Sequence, residues 1–241
     1  MAHWSPDDYA DRGMREFPLG SRMVLAFVVA VLWVFSKLMW RWRMQNADEL
    51  LPEAGAETGS IIICNHTSMA EVVAIYVHEY THGRRVRAIA KSEFYRTGIV
   101  VWLFSRAGTI PVDRGTADMR ALRRAQHALK RGEDVLIFPE GTRIRTDDQP
   151  VEIHGGFALM AQMAKASVAP MAVCGFRDIT PKGKHIMRPR TCWMRAGEKL
   201  SLDDAPASLK RRDRLQWLED EGMRRVYELR DALQAEHPGR K

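Results

Sequence analysis

The chain has 241 residues, 37 Lys and Arg against 30 Asp and Glu for a net charge of +7, and 46% hydrophobic residues. That length and composition fit one domain with room for a short appendage and exclude a mainly disordered polymer. Three cysteines without a C-x-x-C pair exclude a disulfide scaffold and a cysteine-built zinc module, and fit a reducing compartment.

Residues 23–36, MVLAFVVAVLWVFS, are the first predicted element and carry no charge. As a helix they reach about 21 Å, or about 27 Å when extended to Trp40, against a hydrocarbon core of roughly 30 Å. The run is apolar on every side, so it does not read as an amphipathic helix lying flat. Two readings remain, a buried core helix and a membrane element. Trp33, Trp40 and Trp42 cluster beside Lys37, Arg41 and Arg43, the composition of a membrane interface. The sequence SKLMWRWR follows, with no small-residue cleavage site, so a secretory signal is not expected. Basic residues flank both ends, which fits a half-inserted anchor with both ends on the cytoplasmic side. Residues 1–45 are therefore read as a membrane-associating segment, 46–207 as the catalytic domain and 208–241 as a helical extension.

Downstream, strand-like runs at 60–64, 86–90, 109–112, 134–138, 168–173 and 191–195 alternate with helical stretches at 68–81, 92–105, 117–131 and 156–166. Such alternation predicts an α/β domain, a mostly parallel sheet flanked by helices. Residues 208–236 read as a helix on the domain edge, with Gly222 as a candidate break. The charge is uneven: residues 82–131 carry 12 basic and 3 acidic side chains. A solvated helix face is the bland reading of such a run, and a phosphate-facing surface is the functional one.

The motif Asn65-His66-Thr67-Ser68-Met69-Ala70-Glu71 directly follows a predicted strand, where α/β proteins keep their sites. On a continuous helix this spacing sets His66 and Glu71 about 140° apart. They meet only if His66 lies in the turn before the helix and curls back. A carboxylate on one imidazole nitrogen fixes the tautomer and raises the basicity of the other, making His66 a candidate general base for a hydroxyl. A structural histidine at a helix start is the alternative. Phe138-Pro139-Glu140-Gly141-Thr142-Arg143 follows another strand: Gly141 permits close approach of a ligand, and Arg143 offers a planar fork for phosphate. Lys91-Ser92-Glu93 and Gly108-Thr109-Ile110-Pro111-Val112-Asp113-Arg114-Gly115 place Lys91 and Arg114 within the basic stretch.

Taken in order, NHTSMAE, KSEFYR with GTIPVDRG, FPEGTR and VAPMAV span residues 65–173 and resemble the four blocks of the glycerolipid acyltransferases, specifically the bacterial 1-acylglycerol-3-phosphate acyltransferases. The resemblance implies a glycerolipid acyltransferase-like fold with an N-terminal membrane-anchoring helix. It implies that His66 deprotonates the acceptor hydroxyl, that Glu71 orients His66, and that Arg114, Arg143 and Lys91 hold the acceptor phosphate. Glu140, Gly141 and Thr142 would shape the acceptor site. The implied partners are a lysophospholipid acceptor, membrane lipid, and acyl-CoA or acyl-carrier protein as donor. No cofactor, metal or nucleic acid is expected. The implied place is the cell membrane, with the catalytic domain on the cytoplasmic side.

Two positions depart from the family pattern. Glu71 stands where Asp is usual, and His154 stands where a Lys is usual. Four other readings compete. A different lysophospholipid or alcohol is an alternative acceptor, and a non-catalytic membrane-binding homologue is an alternative role. His78-Glu79-Tyr80-Thr81-His82 matches the zinc-hydrolase pattern, but Gly83 follows it and Arg84, Arg85 and Arg87 would oppose a divalent cation. Cys64 beside His66 invites a nucleophile reading, although its place at a strand end fits the core better.

Overall fold

The computed structural model describes residues 4–52, 54–96, 98–113, 118–146, 148–181, 183 and 186–238. Two N-terminal helices come first, α1 (Pro6–Asp11) and α2 (Leu19–Trp40). Strands β1 (Arg43–Gln45) and β2 (Ile61–Cys64), helix α3 (Met69–Thr81) and strand β3 (Val86–Lys91) follow. Next are α4 (Gly98–Arg106), β4 (Ile110–Val112), α5 (Met119–Lys130), β5 (Asp134–Ile137) and α6 (Gly156–Ala164). The chain ends with β6 (Val168–Cys174), β7 (Trp193–Ala196) and α7 (Arg211–Glu236).

The seven strands form one sheet in the order β1-β7-β6-β2-β5-β3-β4. Every pair is parallel except β6 with β7, so the expected mostly parallel sheet is borne out. The strand β2 is buried on both faces, as a central parallel strand must be. Its alternation sorts the two cores. Ile62 and Cys64 pack with Leu25 and Val29 of α2 and Ile75 of α3. Ile61 and Ile63 face Leu129 of α5, Phe157 of α6 and Val226 of α7.

Three sequence expectations differ from the structure. The stretch 92–105 is a 3-10 turn (Ser92–Arg96) and then α4, rather than one helix. The helix α7 runs unbroken through Gly222, which sits where the helix packs closely on the sheet. A Cβ at Gly222 would stand 3.0 Å from Ile63 Cδ1 and 3.4 Å from Phe157 Cε2. Short elements at the N-terminus, α1 and β1, lack a long periodic signal. β1 nevertheless joins the sheet, pairing with β7.

One stripe of α2, Ser21, Leu25, Val29, Ser36 and Trp40, is buried against the domain. The rest of its apolar surface faces outward: Leu19, Met23, Phe27, Val31, Val34 and Leu38 are exposed. By length and composition α2 can cross a membrane. Of the tryptophans read as an interface cluster, Trp40 and Trp42 are instead core residues, and Trp33 alone is exposed. Trp42 Nε1 donates to Ser36 Oγ at 3.0 Å, and Lys37 Nζ lies 3.2 Å from the Trp42 ring centroid. Their role is to close the corner where α2 turns into β1.

Part of the basic stretch is internal. Arg87 is fully buried, with Nε donating to Glu133 Oε2 at 2.6 Å. Its other nitrogens donate to the carbonyls of Tyr9 at 3.1 Å, Ala10 at 3.2 Å and Gly108 at 3.3 Å, and to that of Arg12. The acceptors at residues 9–12 lie at the end of α1, where helical carbonyls lack intrahelical partners. Arg124 reaches Asp7 at 2.5 Å and Asp11 at 2.6 Å, and Arg84 pairs with buried Asp134 at 2.5 Å. Arg84, Arg87 and Arg124 of the excess thus anchor the N-terminal segment and the sheet rather than face phosphate.

Candidate active site

Parallel strands β2 and β5 are neighbours in register, Ile63 opposite Ile137, so the residues after their carboxyl ends meet. Asn65 brackets the next strand: its side chain donates to Val173 O at 3.2 Å and accepts from Val173 N at 2.8 Å. This fixes the turn at the end of β2. Ser68 then caps α3 and Glu71 closes a capping box, a Ser-x-x-Glu signal present in the sequence. Because the helix starts only at Met69, His66 lies in the preceding turn and curls back.

His66 Nδ1 stands 2.7 Å from Glu71 Oε1. The same carboxylate accepts from Thr67 N at 2.5 Å, Thr67 Oγ1 at 2.7 Å and Ser68 N at 2.8 Å. Glu71 is completely buried. A carboxylate held by donors on both oxygens accepts, so His66 Nδ1 carries the proton and Nε2 holds the lone pair. The imidazole is stacked on Phe138 at 4.2 Å between centroids, which sets the ring plane. Its side chain retains 13% exposure, with Nε2 unpartnered among the described residues.

The turn after β5 completes the floor. Glu140 is buried and accepts the His66 backbone N–H at 2.7 Å, while Ile144 N donates to His66 O at 2.7 Å. Burial raises the pKa of Glu140, and the bonds from His66 and Tyr227 oppose that rise. Gly141 adopts a left-handed φ of +62°, and a Cβ there would lie 2.5 Å from His154 Cδ2. His154 therefore lies over Gly141, with its N–H bonded to Pro139 O at 2.8 Å. Thr142 is exposed at the lip.

Of the phosphate candidates, Arg143 is half-buried, and no hydrogen bond or ion pair holds its guanidinium among the described residues. Burial and Arg145 lower its pKa, against the field of Glu71. Lys91 ends β3, whose partner β5 carries the Glu140 turn, so Lys91 lies at the same carboxyl edge. No contact joins it to His66 among the described residues. Arg114 lies outside the described residues.

The structure thus brings His66, Glu71, Glu140 and Gly141 together, with Arg143 beside them. The residues missed from sequence are Thr67, Phe138 and Tyr227. The capping box signals the Thr67 neighbourhood, whereas Tyr227 lies 87 residues from its partner Glu140 and has no local signal.

The His78-Glu79-x-x-His82 motif is arranged differently. His78 packs edge-on to Trp42 at 6.0 Å, and burial pushes its pKa down to about 4. Burial, with Asp134 nearby, lifts Glu79 to about 8. Among the described residues no group of three or more His, Cys, Asp or Glu could hold a metal ion. Cys64 is fully buried, and burial with the charges of Glu71 and Glu140 raises its thiol pKa, the opposite of nucleophile activation.

The acyltransferase family model matches residues 41–174. The chain belongs to the acyltransferase family. A 1-acyl-sn-glycerol-3-phosphate acyltransferase of Bacillus subtilis (strain 168) is 28% identical over 178 residues, 74% of this chain and 84% of that protein. A lyso-ornithine lipid O-acyltransferase of Pseudomonas aeruginosa is 34% identical over 94 residues, 39% of this chain and 36% of that one. The crystal structure of the 1-acyl-sn-glycerophosphate acyltransferase PlsC from Thermotoga maritima shares the fold, with TM-score 0.64 at 22% identity, covering 87% of this chain and 80% of that one. The matched acyltransferase region holds the His66–Glu71 pair, Lys91 and the Glu140–Arg143 turn, and it ends before α7.

Proposed function

We propose that the chain transfers a fatty acyl group from an acyl thioester to the free hydroxyl of 1-acylglycerol 3-phosphate, giving phosphatidic acid. The observation that carries this is the His66–Glu71 pair inside the acyltransferase region, with Nδ1 on the carboxylate and Nε2 unpartnered among the described residues. In this reading Nε2 takes the hydroxyl proton as the acceptor oxygen bonds to the thioester carbonyl carbon. Collapse of the tetrahedral intermediate breaks the carbon–sulfur bond, and the imidazolium returns its proton to the departing thiolate. Glu71 steadies the imidazolium without leaving its own hydrogen bonds. Arg143, with Lys91 and Arg114, holds the acceptor phosphate by charge-assisted bonds. Acyl-CoA or acyl-carrier protein serves as donor. The test compares membranes carrying the chain or its His66→Ala variant, supplied with lysophosphatidate and acyl-CoA; equal acylation by both would reject the reading.

A second acceptor is favoured by one observation. The lyso-ornithine lipid O-acyltransferase, named for a different lysolipid acceptor, shares 34% identity over its matched stretch. Offering both lipids to the same membranes separates the two acceptors.

Glu71 in place of Asp is suited to its four donors, because the longer arm lets one carboxylate close the capping box and reach back to His66. Glu71→Asp should keep the helix cap but lose the His66 contact, lowering turnover about tenfold with KM little changed. Unchanged turnover would show that reach is not what Glu provides.

We infer that α2 attaches the domain to the membrane from the cytoplasmic side, its buried stripe held by protein and its outward face taken by lipid. Phe27→Glu with Val31→Glu alters only exposed positions. Co-sedimentation with phospholipid vesicles should fall at least about tenfold while the unfolding temperature holds. Undiminished vesicle binding would remove α2 from this role.

A further inference from the structure

The helix α7 lies beyond the residues that the family model matches, yet it touches the catalytic turn. Its buried face, Leu218, Gly222, Met223 and Val226, packs on the sheet and on α6. Gly222 brings the helix against Ile63, one strand residue before Cys64. Glu219 fills the space over Gly155, where an added Cβ would lie 1.9 Å from its carboxyl carbon. Held in this way, α7 presents Tyr227, whose hydroxyl donates to Glu140 Oε1 at 3.3 Å. The other oxygen of that carboxylate accepts the His66 backbone N–H. Arg230 stacks over the Tyr227 ring, its guanidinium carbon 4.5 Å from the centroid.

We propose that Tyr227 is a positioning residue for acyl transfer: through the Glu140 carboxylate, its hydroxyl holds the backbone of the base His66. The proposal rests on the acyltransferase reading above. Glu140 bridges two elements that share no covalent neighbourhood, the turn before α3 and the C-terminal helix. With both oxygens engaged it cannot rotate, so the His66 N–H keeps its acceptor and the imidazole keeps its place over Phe138. With Tyr227 removed, Oε1 is a buried acceptor without a protein donor, and the carboxylate is freer to turn away or to protonate. The ionisable groups facing Glu140 are His66 and Glu71 from the β2 turn and α3, Cys64 from β2, and Tyr227 from α7.

The deciding experiment measures acylation of 1-acylglycerol 3-phosphate by the full chain in membranes across about pH 5 to 9. Tyr227→Phe keeps the ring and deletes one oxygen. Turnover should fall about threefold to tenfold, the scale of one hydrogen bond, with KM little changed. The hydroxyl favours the ionised carboxylate, so its loss should move the acid limb of the profile to higher pH. In a Glu140→Gln background the same substitution should have no further effect on turnover. If that background has too little turnover, the cycle is read on unfolding midpoints, where the Tyr227→Phe effect should likewise shrink. A superimposable pH profile, or an undiminished Tyr227 effect in the Glu140→Gln background, overturns the inference and leaves the acyltransferase reading standing. A wild-type chain that acylates nothing removes both.

Discussion

Replacing His66 by alanine should lower acyl transfer about 10²- to 10⁴-fold, the range that a positioned general base contributes. The fold should persist. The His66 side chain keeps some exposure and makes one side-chain bond, to Glu71, while its backbone contacts to Glu140 and Ile144 do not need the imidazole. The loss should appear in turnover rather than in KM, since the base acts on a proton in flight and not on the phosphate. Glu71 remains bonded to Thr67 and Ser68, so the buried carboxylate stays satisfied in the variant. Steady-state kinetics on membranes, with unfolding temperature as the folding control, checks this. A residual activity above one-tenth of wild type would take His66 out of the chemistry.

Replacing Arg87 by methionine should cost about 3–5 kcal/mol of stability, because a buried carboxylate loses its cation. Glu133 then faces the interior beside Arg131 alone, whose contact is longer at 3.6 Å. The carbonyls of Tyr9, Ala10, Arg12 and Gly108 lose a donor at the same time. For a chain of this size, about 2–4 °C of unfolding temperature follows each kcal/mol, so the midpoint should drop by roughly 6–20 °C. Residues at the end of α1 should lose amide-exchange protection first, since their carbonyl contacts are what Arg87 supplies. Adding Glu133→Gln to Arg87→Met should recover part of the loss. A drop below about 1 kcal/mol, the scale of an exposed ion pair, would show that the N-terminal segment does not depend on this guanidinium.

Both predictions concern residues whose importance is visible at different levels. His66 lies in a local pattern: strand, polar turn, capped helix, with its partner five residues on. The turn before the capped helix lets the pair meet, and the motif NHTSMAE carries part of the resemblance to the acyltransferases. Arg87, by contrast, reads in sequence as one of a run of exposed cations. Three of its carbonyl acceptors, at Tyr9, Ala10 and Arg12, lie more than 70 residues earlier in the chain, at the end of a six-residue helix too short for a periodic signal. Trp40 and Trp42 mislead in the same manner, since their composition matches a membrane interface while their packing closes a corner of the core.

The α/β alternation, the positions of the strands, the proximity of His66 and Glu71 and the Gly141 turn are legible along the chain. These depend on neighbours within a few residues, where backbone geometry leaves few choices. Long-range packing sets which cations are structural, which face of α2 is covered, and that Tyr227 of the last helix reaches Glu140. Those outcomes depend on which surfaces meet once the sheet is assembled, and no local pattern encodes a contact made across the fold.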